Sequence, residues 1–262
     1  MLIRKLTKLL FIIYALLTVY NVVSLFFAVP YQPFFTPLLT INAFAIALLH
    51  GSQNLGWKCT LLLLALTFAV SLLFESVGVA TDLIYGPYHY TDKLGPKFLG
   101  LVPLLIPVAW FMMTYPSFVI ANRLVPAIKS TWAWRLTLAA LGGLIMTAWD
   151  LAMDPMMVAG GHWVWEKPGA FFGVPLHNYW GWWLTIFVTF CLFLILGRIG
   201  PHPESSLQGS DWPAIGSYAI TGFSSVIVDF EFGLGGPGLV GVFAMLPWVV
   251  VGWLGIRRIP FQ

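Results

Sequence analysis

The stretch TLLLLALTFAVSLLFESVGVATDLIYGPYHY, Thr60 to Tyr90, decides the class of fold. From Thr60 to Ala80 it is apolar apart from a few hydroxyls and one carboxylate, Glu75. A hydrocarbon core roughly 30 Å thick takes about 20 such residues of helix. The run then breaks into Asp82, Gly86, Pro87 and a Tyr/His cluster, which reads as a loop at a membrane interface. Further along, LGGLIMTAWDLAMDPMMVAGGHWVW, Leu141 to Trp165, follows the same plan with Asp150 and Asp154 in place of Glu75.

The whole chain agrees with this reading. Of its 262 residues 59% are hydrophobic and 9% charged, and the mean hydropathy is +0.87. A water-soluble globule would be nearer half apolar and a quarter charged, and a disordered chain poorer still in apolar residues. Two Cys exclude a disulfide scaffold, and 25 Gly without a three-residue period exclude a collagen. The net charge of +3 is spread thinly, so no nucleic-acid surface is expected. The expectation is one all-α integral membrane domain over residues 1–262, a helical bundle with spans at about 6–29, 34–50, 59–80, 99–121, 136–157, 180–197, 212–230 and 238–256. The N-terminal Arg4, Lys5 and Lys8 resemble the start of a signal peptide. The apolar run behind them is too long and lacks an A-x-A site, so it should remain as an anchor.

Eight spans place both termini on one side. That side carries Arg4, Lys5, Lys8, Lys58, Arg123, Lys129, Arg135, Arg198, Arg257 and Arg258, and the other only Lys93, Lys97 and Lys167. Cytoplasmic loops carry the excess of basic residues, so both termini are expected in the cytoplasm and the protein in the cell's inner or plasma membrane. Cys59 then lies at the cytoplasmic end of the third span and Cys191 within the sixth, which implies no disulfide.

Spans three to four and five to six also share a pattern. Glu75, GPYHY (86–90) and GLVPL (100–104) answer to Asp150 and Asp154, GHWVW (161–165) and GVPL (173–176). This predicts helical hairpins inserted the same way up, with a fainter third copy in Asp229, Glu231, GLGGPG (233–238) and GVFAMLPW (241–248).

Ionisable groups inside spans are costly and are functional candidates. At 1.5 Å per residue, Glu75, Asp150 and Asp229 lie roughly 24, 21 and 25 Å from the cytoplasmic ends of their helices. Asp150 and Asp154 share a helix face, and Asp82 shares one with Glu75 if that helix continues; Asp229 and Glu231 face apart. Pro155 biases Asp154 away from helical geometry. Individually each acid could tie a loop to a helix end. As a set, without Lys or Arg at their depth, they read as carboxyls able to hold and deliver a proton.

Around them lie Tyr85, Tyr88, Tyr90, Trp163, Trp165, Phe171, Phe172, Tyr179, Trp180, Trp182 and Trp183, together with His89, His162, His177 and Asn178. Most of this layer reads as an interfacial aromatic belt. The remainder could line an apolar pocket and face a cation. Neither H-x-x-H nor H-E-x-x-H occurs, so no metal site is expected. Asp150 to Asp154 spells D-x-x-x-D, the spacing with which membrane prenyltransferases hold magnesium and diphosphate, but a second acidic motif and phosphate-binding cations are missing.

The two segments FESVGVATDLIYGPYHYTDKLGPKFLGLVPLLIPVAW, Phe74 to Trp110, and WDLAMDPMMVAGGHWVWEKPGAFFGVPLHNYWGWW, Trp149 to Trp183, resemble the integral-membrane carotenoid biosynthesis family. Its members include gamma-carotene 1'-hydroxylases and bisanhydrobacterioruberin hydratases. The likeness covers the central half of the chain and extends loosely to DFEFGLGGPG at 229–238. It implies addition of water, without cofactor, across the C1,C2 double bond of an acyclic carotenoid psi end such as that of lycopene, gamma-carotene or a C50 carotenoid, giving a tertiary alcohol. The partners are then the carotenoid, water and the lipid bilayer.

The family supplies no set of catalytic residues, so the roles follow from the residues themselves. Asp154 or Asp150 is the acid and Glu75 and Asp229 are base or water-positioning groups. Asp82, Tyr88, His89, Tyr90, His162, Trp163, Trp165, His177, Asn178 and Glu231 are supporting or substrate-binding groups. Competing readings are a carotenoid- or lipid-binding scaffold with structural acids, a carotenoid cyclase or prenyltransferase-like enzyme using the same acids, and a proton channel or transporter.

Overall fold

The computed structural model describes residues 2–27, 34–201 and 211–254. Among them are eight α-helices: α1 Leu2–Phe26, α2 Phe35–Asn54, α3 Gly56–Thr81, α4 Leu105–Leu124, α5 Thr131–Ala159, α6 Leu176–Leu196, α7 Trp212–Glu231 and α8 Gly235–Leu254. All but α7 are long and apolar enough to cross a membrane. The exception follows from Ser217, Thr221, Ser224 and Ser225, whose hydroxyls donate back to carbonyls of the preceding turn. Satisfied in this way, a polar helix can sit among apolar ones, and α7 packs against α1, α2, α4, α5 and α8.

Several boundaries differ from expectation: α2 runs on to Asn54, α6 begins at Leu176 and α8 at Gly235. The fourth helix begins at Leu105 and not at 99, because residues 97–103 form a hairpin of β2 (Lys97–Phe98) and β3 (Val102–Pro103). Leu99 and Gly100 turn it with positive φ of 50° and 72°. The fifth helix is longer at both ends than 136–157. Ser130 caps its start by accepting from the Ala133 amide at 3.3 Å, and Pro155 lies inside it, so the expected bias of Asp154 away from helix is overridden by packing on four sides. The end of α3 at Thr81 agrees with the expected 80, and Asp82 beyond it turns left-handed with φ 63°, so the helix does not carry on to align Asp82 with Glu75. The outermost parts of the first and last spans, with Arg257 and Arg258, lie outside the described residues.

The bundle is graded in burial. The helix α4 buries most of its length, from Ile106 to Ala121, and α1 buries only Thr7, Tyr14 and Thr18. The outward residues of α1, such as Leu9, Leu16 and Val19, are exposed and apolar, as a lipid-facing surface requires. At the end bearing the chain's N-terminus, Arg123 donates to Asp211 at 2.5 Å and Asn54 donates to the other oxygen of Asp211 at 3.0 Å, tying together α2, α4 and the start of α7.

At the other end, called here the loop end, the internal repeat is realised. The strand β1 (Tyr88–Tyr90) pairs antiparallel with β4 (Trp163–Trp165), Tyr88 opposite Trp165 and Tyr90 opposite Trp163. The second loop has its own tight turn, Phe171 bridging Val174 around Phe172 and Gly173 at φ 48° and 89°. Trp110 and Trp182, each seven residues beyond the matched Pro103 and Pro175, stack with centroids 4.1 Å apart and planes 25° apart. Two helix–strand–helix units thus meet at the paired strands and at the stacked tryptophans. The third copy is not of this kind: α7 and α8 are joined by a short turn, Phe232 to Leu234, with no strand.

Candidate active site

Glu75 lies in the penultimate turn of α3 and is fully buried. Tyr88 and Tyr90 of β1, side by side on one face of the strand, both donate their hydroxyls to its Oε2, Tyr90 at 2.9 Å, and the Trp110 indole of α4 donates to Oε1 at 3.0 Å. Burial first, and the charge of Glu75 second, push both phenols well above their ordinary range, so each keeps the hydrogen it donates. Tyr85 supports this cluster from behind. Its ring fills a slot between Gly78 of α3 and Gly181 of α6, where an added methyl would come within 2.7 and 2.5 Å, and its hydroxyl meets Thr185 at 2.8 Å.

The second unit repeats the device one turn displaced. The indoles of Trp163 and Trp165 on β4 donate to Oδ1 of Asp154 at 2.9 and 3.1 Å. Asn178, in the first turn of α6, donates to Oδ2 of Asp154 at 2.7 Å and to Oδ2 of Asp150 at 2.8 Å, so a single amide bridges the two acids. Oδ1 of Asp150 has no partner among the described residues. By offset from the strand, Asp150 is the counterpart of Glu75, thirteen residues before Trp163 as Glu75 is before Tyr88. The extra acid, Asp154, takes the strand donors.

Glu75 and Asp154 both line a cavity of about 590 Å³. Trp110, Trp149, Trp182, Ile106 and Met153 contribute its aromatic and apolar wall, and Lys93 and His162 stand at its rim. The Lys93 ammonium donates to the Gly160 carbonyl at 2.7 Å, at the C-terminal end of α5 where a cation is favoured. His162 is half-buried beside it. Burial, more than the neighbouring Lys93 charge, lowers its pKa below the usual 6.5.

The structure brings together Glu75, Asp150, Asp154, Tyr88, Tyr90, Trp163, Trp165, Asn178 and, at the rim, His162. It separates the other candidates. Asp82 is exposed beyond the end of α3 and does not continue the face of Glu75. His89 points to the opposite face of β1 from Tyr88 and Tyr90 and pairs with Glu166 at 2.5 Å, both exposed. His177 and Glu231 are exposed as well. Asp229 is buried at the expected depth, but it packs toward Gly238 of α8, does not line the cavity, and neither of its oxygens has a partner among the described residues. Trp110, Trp149 and the stacking partner Trp182 complete the site. The signal for Trp110 and Trp182 is their equal spacing from Pro103 and Pro175, and Trp149 has none of that kind. Among the described residues no group of three or more His, Cys, Asp and Glu is placed to hold a metal ion.

These features define a polytopic α-helical membrane protein with an aromatic cavity ending on buried, multiply hydrogen-bonded carboxyl groups. The chain belongs to the carotenoid biosynthesis protein family, which it matches over residues 34–247. It is 38% identical over 136 residues to the bisanhydrobacterioruberin hydratase of Haloarcula japonica, a stretch that is 52% of this chain and 45% of that protein. No solved structure matches it.

Proposed function

We propose that the protein is a carotenoid hydratase that adds water to the C1,C2 double bond of an acyclic psi end, giving a tertiary 1-hydroxy carotenoid. The observation that carries this reading is the placement of Glu75 and Asp154 on one aromatic cavity, each held by three hydrogen-bond donors. The name of the haloarchaeal relative supports it.

The roles follow from the count of donors. A carboxylate offers about four lone-pair positions. On Asp154, Trp163 and Trp165 fill both positions of Oδ1 and Asn178 one of Oδ2, leaving a single position for a proton. Asn178 holds Asp150 beside it, and two carboxyls held this close carry one proton between them. Asp154 delivers that proton to C2, and the C1,C2 π bond supplies the electrons of the new C–H bond. The tertiary cation left at C1 lies against the aromatic wall to which Trp110, Trp149 and Trp182 contribute. Water attacks C1 as Glu75, fixed by its three donors, takes the water's proton. Return of that proton to Asp154 restores the enzyme, and the net reaction is addition of one water with no redox change.

The orientation belongs to the same proposal: basic residues gather at the end opposite the loops, so the termini face the cytoplasm and the site the other side of the plasma membrane. A membrane-impermeant maleimide should label an exposed Leu99→Cys in intact cells. The decisive experiment for the reaction is expression in bacteria making lycopene or gamma-carotene. A product heavier by one water supports the hydratase. A product of unchanged mass and altered absorption means a cyclase, and pigment bound without change means a scaffold.

A further inference from the structure

We infer that the acyclic carotenoid reaches this site sideways from the membrane, through a wedge between α1 and α7, while water enters separately at the rim. The inference rests on the carotenoid reading of the cavity. In the half of the bundle away from the loops, α1 and α7 are in close contact. Phe11 meets Trp212 edge-on at 4.7 Å, Gly216 leaves room for the Phe11 ring where a methyl would come within 2.8 Å, and the Tyr14 hydroxyl meets that of Thr221 at 2.7 Å. Toward the loop end the contact gives way. Asn21 and Leu25 of α1, and Ser224 and Val228 of α7, line the cavity. Tyr14 and Thr221 are therefore the floor of a wedge that runs about 16 Å along the helices, eleven residues at 1.5 Å, or roughly half the hydrocarbon thickness.

The lining fits a long apolar chain. Leu25, Leu39 and Val228 are apolar, and the hydroxyls of Thr40, Ser224 and Ser225 are bonded to carbonyls of their own helices, so these ask for no polar partner, and the Asn21 amide is a polar group on the α1 side. Leu25 and Val228 at the lips are part-exposed and their neighbours Phe26 and Phe230 are exposed and apolar, which turns the wedge toward lipid. The rim is the reverse, with the exposed Lys93 and the half-buried His162. One cavity thus has two openings of opposite polarity, matched to a polyene and to water. The reactive end lies at Glu75 and Asp154, and the remainder of the chain leaves between α1 and α7 into the bilayer.

The test joins the two lips. Leu25→Cys and Val228→Cys are introduced together with Cys59→Ser and Cys191→Ser, and the protein in nanodiscs is linked with reducible bifunctional thiol reagents of graded length. Lycopene binding is read by quenching of tryptophan fluorescence, alongside product mass. Linking should lower the rate of lycopene uptake at least tenfold relative to the same protein before treatment, and reduction should restore it. A linked protein that takes up lycopene at the original rate overturns the route. A second variant, Val228→Trp, should narrow the wedge and slow uptake without chemical linking, and uptake at the wild-type rate would count equally against the route. Because uptake is read apart from turnover, an unlinked protein that binds lycopene and adds no water refutes the hydratase while leaving the route to be judged on binding.

Discussion

Tyr88 and Trp165 face each other across the β1–β4 ladder, 5.0 Å between ring centroids, and serve different carboxyl groups, Tyr88 donating to Glu75 and Trp165 to Asp154. A two-stranded ladder only three residues long therefore fixes the separation of two acids carried by helices far apart in sequence. Hydrogen bonds to charged groups contribute about 1.5–3 kcal/mol each. Tyr88→Phe and Trp165→Phe should each lower formation of hydrated product about tenfold or more, measured per mole of protein in a carotenoid-producing strain. Full activity in both would separate the ladder from the chemistry.

Asp154→Asn and Glu75→Gln keep shape and most hydrogen bonds while removing proton transfer. General acid or base catalysis contributes typically ~10²–10⁴-fold. Each variant should retain the wild-type elution profile on size-exclusion chromatography and lose product formation by that order.

Asp82→Asn, His89→Gln, His177→Gln and Glu231→Gln should leave product formation within about twofold of wild type, since such exposed substitutions are usually worth under about 0.5 kcal/mol. Asp229→Asn should do the same for product formation, because it lies off the cavity. A loss above tenfold in any of them would reopen the boundaries of the site.

Gly181→Ala tests the slot that holds Tyr85. The new methyl would lie 2.5 Å from the ring and 2.6 Å from the Ile84 carbonyl, and the backbone atom cannot move aside cheaply. Overpacking of this kind costs about 1–3 kcal/mol. A lower midpoint of thermal unfolding is expected, with activity falling because Tyr85 stands behind Tyr88.

His162 makes stability depend on pH. Its pKa in the folded protein lies below the ordinary 6.5, so between the two values the unfolded chain binds the proton and the folded one does not. The stabilisation is complete above 6.5 and is lost as pH falls from there toward the folded value. His162→Asn, which cannot titrate, should show a smaller drop in unfolding midpoint between pH 7.5 and 5.5 than wild type, and equal drops would show that His162 is not the group responsible.

The sequence by itself determined the membrane class, the eight helices and the acids. Hydrophobic length and the scarcity of charge are local properties, and a carboxylate inside an apolar run is conspicuous without any partner. The repeat was also legible, since its Gly, aromatic and Pro positions recur in order. What the sequence left open was which polar groups converge. Asp82 and His89 sit as close in sequence to the aromatic cluster as Tyr88 does. A left-handed residue at the end of α3 and the alternation of a strand nevertheless turn both outward. Asp229 has the same depth as Glu75 but looks toward α8, because depth along a helix says nothing about its rotation. The bridging of two acids by Asn178 and the stacking of Trp110 on Trp182 depend on how α4, α5 and α6 are set against one another. Only the packed bundle fixes those rotations, through close contacts at small residues such as Gly142 and Gly143 of α5, which meet Phe190 and Trp183 of α6.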